Sequence, residues 1–124
     1  MRLRGNDNDS GLGIDWDRAR ATVGGDDRLL SELLAIYIGE AIGLMKQIRR
    51  AADETDLGTI RKAAHTLKGA SLSTGATSTS DLAEKLEAAG TGMSEQQLAN
   101  LVVQLDTSVQ QVIDHAKNFI ERIG

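Results

Sequence analysis

The chain has 124 residues, 13 of them glycine, with two histidines and neither proline nor cysteine. That length fits one domain, and the missing cysteines exclude a disulfide framework and a thiolate metal site. With 14 Lys and Arg against 18 Asp and Glu the net charge is −4, and aromatics are 2% of residues, so the chain lacks the basic footprint and stacking platform of a nucleic-acid binder.

Met1 to Gly13 carries Arg2 and Arg4, then turns to Asn, Asp, Ser and Gly, with no apolar run of signal-peptide length. It reads as a flexible tail, residues 1–13, ahead of a domain over residues 14–124. No apolar stretch is long enough to span a membrane. A soluble, cytoplasmic protein is expected.

A short helix is predicted over Asp15 to Thr22, stopped by Gly24-Gly25. Asp26-Asp27 open a second helix running to about Ala52, with acidic side chains where the helix dipole favours them. Its apolar stripe is Leu29, Leu30, Leu33, Leu34, Tyr37, Ala41, Leu44, Met45 and Ile48. A third helix is predicted from about Leu57 to Ser73, with Leu57, Ile60, Ala63, Ala64, Leu67 and Ala70 inward. The fourth opens after Gly75, turns Leu82, Leu86 and Ala89 inward and stops at Gly90. The Ser/Thr-rich stretch 71 to 80 reads as a helix end and loop, which blurs that start. The fifth begins at Ser94, with Gln97 where a capping box needs it. Its stripe is Leu98, Leu101, Val102, Leu105, Val109, Val112, Ile113, Ala116, Ile120 and Ile123. No strand pattern is sustained. The expected fold is all-α: an antiparallel up-down four-helix bundle with a short extra N-terminal helix as a lid.

The histidines differ. His65 lies almost opposite its helix's apolar stripe and so faces solvent in mid-helix. Lys68, Gly69 and Leu72 share that face, with Arg61 and Lys62 behind. An exposed helical glycine costs about 1 kcal/mol against alanine. Here it sits one turn after the histidine, where a side chain would cover the imidazole. The arrangement suits a ring that accepts something bulky and anionic from a docking partner, and it also suits an idle surface histidine. His115 lies at the edge of its stripe and reads as surface. A di-iron bundle needs Glu three residues before each histidine. Lys62 and Val112 stand there instead. No phosphate-binding glycine loop is present.

The run Ala64-His65-Thr66-Leu67-Lys68-Gly69-Ala70-Ser71, with Gly75-Ala76 and Leu82-Ala83-Glu84-Lys85-Leu86-Glu87 downstream, resembles the histidine-containing phosphotransfer (HPt) domain. Upstream, Gly24-Gly25-Asp26 with Leu29-Leu30 and Leu33-Leu34 is similar to that family's entry into its first bundle helix. The resemblance covers roughly Ile14 to Ile120. It implies a phosphorelay intermediate whose His65 carries a phosphoryl group on a ring nitrogen. It implies that Lys68 offers a cation to the phosphoryl oxygens, that Gly69 leaves room, and that Glu87 hydrogen-bonds and orients the imidazole. Arg61, Lys62 and Leu72 would contribute to docking.

The implied partners are response-regulator receiver domains, supplying the acceptor aspartate and Mg²⁺, and a sensor histidine kinase. The chain itself is then a phosphocarrier rather than an enzyme, monomeric, with no cofactor, nucleotide or metal site of its own. The dimerisation domain of a histidine kinase fits less well. It usually has an acidic residue after the histidine and a proline nearby, where this chain has Thr66 and no proline. A phospho-accepting domain of a larger chemotaxis-type or hybrid kinase, a non-catalytic adaptor docking on receivers and a purely structural bundle are the alternatives.

Overall fold

The computed structural model describes residues 13–89 and 92–124. Residues 1–12 of the expected tail, and Gly90, the expected stop of the fourth helix, lie outside them. Five helices follow in order: α1 (Trp16–Thr22), α2 (Asp27–Asp53), α3 (Leu57–Ser73), α4 (Thr77–Glu87) and α5 (Glu95–Ile123). No strand occurs among the described residues. Helices α2, α3, α4 and α5 pack in a ring in chain order and close back from α5 to α2, while α1 lies against α2 and α3. This is the expected antiparallel bundle with its short extra helix.

Side-chain caps set the helix starts. Asp15 accepts from the Arg18 amide at 3.2 Å, Asp26 from Leu29 at 3.1 Å and Asp56 from Thr59 at 3.1 Å. Ser94 and Gln97 form the reciprocal capping box. Each cap contributes about 1 kcal/mol by satisfying an amide that the helix leaves open. At the α2 end, Asp56 N–H returns to the Ala51 carbonyl at 2.8 Å, and Thr55 takes a left-handed φ of 54°. At the α3 end the same role falls to Gly75, φ 81°, where Ala76 N–H returns to the Ser71 carbonyl at 2.8 Å.

Two expectations about α4 need correction. Thr77 to Ser80 are its first turn, not a loop, and the helix ends at Glu87 rather than running to Gly90. Hydropathy misled because Thr79 and Ser80 are buried. The Thr79 hydroxyl meets the Ser108 hydroxyl of α5 at 2.6 Å, so a polar side chain enters the core with its partner.

The core is mostly aliphatic, as composition required, with Tyr37 and Phe119 as its buried aromatics. Leu30, Leu34, Ile48, Ile60, Leu67, Leu86 and Leu105 are fully buried. Leu29 and Ile123, placed inward by pattern, are exposed, while Phe119 is buried where the predicted stripe ran through Ile120. The Phe119 ring stacks on Trp16 of α1 at 5.0 Å between centroids. That contact pulls the α5 stripe round toward α1.

The Tyr37 hydroxyl and the Ser71 hydroxyl form a second buried pair at 2.8 Å, joining α2 to α3. Burial pushes the phenol up to about 12, so it stays protonated at neutral pH. Tyr37→Phe is expected to destabilise the protein by about 1 kcal/mol, the net worth of one such bond. Urea unfolding measures it, and an unchanged midpoint would show that Ser71 finds another hydrogen-bond partner at no loss.

Candidate functional site

Helix α3 turns Ile60, Ala63, Ala64, Leu67 and Ser71 into the core. The opposite face therefore carries His65, whose side chain is 68% exposed. The α3–α4 seam is the most extensive in the bundle. Small buried residues, Ala63 and Ala64 on α3 and Ala83 on α4, suit a close approach of the two helices. Across that seam Glu87, the last residue of α4, reaches the imidazole: Nδ1 lies 2.7 Å from Oε2. Its other oxygen, Oε1, lies 2.6 Å from Lys68 Nζ, as an ion pair rather than an aligned hydrogen bond.

These contacts fix the ring's chemistry. The Lys68 ammonium and then the His65 ring hold the Glu87 carboxyl below the usual carboxylate range. Lys68 is correspondingly raised, by Glu87 first and Glu84 second. Glu87 is thus ionised at neutral pH and can only accept. The bond therefore requires His65 to donate from Nδ1, and in the neutral ring that puts the lone pair on Nε2. An exposed, oriented imidazole with a free ring nitrogen is a nucleophile waiting for an electrophile.

The structure brings His65, Lys68 and Glu87 into contact. Lys68 is held on Glu87 in this arrangement rather than standing free over the ring. Gly69 lies on the same face, and a Cβ added there would meet nothing within 4 Å. The room it leaves is open toward solvent. Arg61, Lys62, Thr66 and Glu87 line a shallow open pocket with His65. Leu72 is 38% exposed at the far end of α3, with its carbonyl held by Arg18 Nε at 3.3 Å. Arg61 also reaches across to the end of α4, its guanidinium donating to the Ala89 carbonyl at 3.2 Å. Sequence reasoning missed that bond, because an acceptor on the backbone 28 residues away leaves no side-chain signal.

His115 is exposed, as expected of a surface histidine. Its ring covers Gly13, where an added Cβ would fall 2.6 Å from Cδ2. Among the described residues no three His, Cys, Asp or Glu side chains gather as a metal site, and no helix is long and apolar enough to cross a membrane.

A family model described as "Hpt domain" matches residues 32–115, more than half the chain. A comparison with solved structures finds the HPt domain of a hybrid sensor histidine kinase from Shewanella. It is 21% identical, covers 88% of this chain and 94% of its own, and superposes with a TM-score of 0.77. A comparison with curated proteins finds no match.

Proposed function

Because this chain belongs to the Hpt domain family, we propose that it relays phosphoryl groups through Nε2 of His65, exchanging them with the aspartate of a response-regulator receiver domain. Membership places it in two-component phosphorelay signalling as a histidine phosphotransfer module. The observation that carries the finer reading is the Glu87–His65 bond, which holds the ring at Nδ1 and leaves Nε2 as the nitrogen facing an open surface.

Transfer then runs as an in-line exchange. The Nε2 lone pair attacks phosphorus of the aspartyl phosphate, the P–N bond forms, and the P–O bond to the aspartate breaks. The aspartate leaves as a carboxylate. The ring becomes cationic on attack, and the Glu87 carboxylate at Nδ1 stabilises that charge while keeping the ring oriented. The reverse step returns the phosphoryl group to an aspartate. Phosphoryl transfer is mostly positioning and charge neutralisation. Lys68, one turn from His65, supplies the nearby cation by leaving Glu87 for the phosphoryl oxygens.

The residues around His65 do not fit a Mg²⁺ site: three cations surround one carboxylate that is already engaged by Lys68 and His65. The metal is assigned to the receiver. Arg61 and Lys62 would draw the receiver's acidic pocket, and Leu72 would add apolar contact. A sensor histidine kinase would feed the relay, with the chain acting as a cytoplasmic monomer.

The test is incubation of the wild-type chain with a panel of phosphorylated receiver domains. Acid-labile phosphate should appear on the chain from at least one. Binding without label would instead support a docking adaptor.

Gly69→Gln separates fold from function. Its side chain enters open space and replaces the weakest non-proline helix former, so thermal stability should hold or rise by up to about 1 kcal/mol. The same side chain should crowd Nε2 and slow transfer by about tenfold or more, the scale of a misplaced reacting group. Single-turnover transfer kinetics decide it, and an unchanged rate would remove the steric role given to Gly69.

A further inference from the structure

We infer that Arg61 is a positioning residue for His65, acting through the end of α4 rather than only through its charge. Glu87 is the last residue of α4, and Ala88 is its cap. Helix ends leave carbonyls open and fray first. A carboxylate carried on such an end would orient its target poorly unless the end were held.

The Arg61 bond supplies the hold. Its Nη1 donates to the Ala89 carbonyl at 3.2 Å, two residues beyond Glu87, and Ala89 itself is 2% exposed. A carbonyl buried there without a partner would be unfavourable. Arg61 precedes His65 by four residues, so both project from one face of α3. Because α3 and α4 are antiparallel, the contacts form a ladder in register. Arg61 meets Ala89, His65 meets Glu87, and Lys68 meets Glu87 with Glu84 contributing nearby. Arg61 is the outermost rung, at the end of the seam that would otherwise open.

Removing it frees the end of α4. The Glu87 carboxylate keeps Lys68 but loses its fixed place at Nδ1. The ring then samples both tautomers, and in one of them Nε2 carries the proton and cannot attack. The tautomer consequence stands on geometry alone, whereas the effect on transfer rests on the phosphocarrier reading above.

Nitrogen NMR of the ¹⁵N-labelled full chain tests it, because the two imidazole nitrogens report which one is protonated. Wild type should show His65 protonated on Nδ1. Glu87→Ala should lose that signature and serves as the reference for a decoupled ring. Arg61→Met, which keeps the alkyl stem but not the fork, should move the ring signals toward the Glu87→Ala spectrum. Arg61→Lys keeps the charge but is shorter and lacks the planar fork, so the same displacement is expected. Wild-type ring signals in both Arg61 variants would overturn the proposal and leave Arg61 a rim charge. Thermal melts confirm that each variant is folded. The readout needs no receiver, so a wild-type chain that takes no label would defeat the phosphocarrier reading and leave the Arg61 result standing.

Discussion

His65→Gln is expected to reduce phosphoryl acceptance below detection with every receiver that labels wild type. Glutamine keeps polarity and approximate length but loses the ring nitrogen, and its amide lone pair is delocalised into the carbonyl. No other nucleophile replaces it at that place, because Thr66 directs its hydroxyl to the Lys62 carbonyl. The fold should survive. The side chain is mostly exposed, and Glu87 keeps its ion pair with Lys68, so the stability change should stay within about 0.5 kcal/mol. His115→Gln is the matched control. It should label like wild type, because His115 packs over Gly13, far along the chain from the α3–α4 seam. Label persisting in His65→Gln, or disappearing in His115→Gln, would move the phosphorylation site and overturn the assignment.

Gly75→Ala should produce the largest loss of stability among single methyl additions. Two separate effects combine. The φ of 81° costs an L-residue about 1–2 kcal/mol. The added Cβ would also collide with the Asp15 carbonyl oxygen and come within 3.2 Å of Ala19. The obstacle is backbone and a fully buried alanine, so neither moves cheaply. Asp15 N–H donates to the Gly75 carbonyl at 2.7 Å, and displacing α1 breaks that bond as well. The expected sum is about 3 kcal/mol, or roughly 10 °C in melting temperature for a domain of this size. Gly24→Ala separates the contributions. Its φ is 63° but nothing lies within 4 Å of an added Cβ, so only the backbone strain of about 1 kcal/mol should appear. Equal melting temperatures for the two variants would show that α1 yields without loss.

The fold was legible wherever helix ends carry local chemistry. Asp26, Asp56 and Ser94 each cap the helix that the pattern starts beside them, and Gly24-Gly25 and Gly75 mark ends that need left-handed backbone. His65 was legible because a 3.6-residue period puts it opposite Ile60, Ala63 and Leu67. What stayed hidden has a common cause, since it depends on partners distant in sequence. Thr79 looks like loop until Ser108 pairs with it. Phe119 falls at the edge of its stripe until Trp16 stacks on it. Arg61 looks like one more surface cation until the Ala89 carbonyl is placed beside it.

The stack of Trp16 on Phe119 gives the molecule an optical label of its own. Trp16 is the sole tryptophan in the chain, so all indole emission comes from α1. Far-ultraviolet circular dichroism, by contrast, is dominated by the four long helices. The two signals therefore watch different parts of the same denaturation. Superimposed curves would mean that α1 and the bundle come apart as one cooperative unit. An earlier fluorescence change would give the α1 docking step its own midpoint, free of any dye or tag.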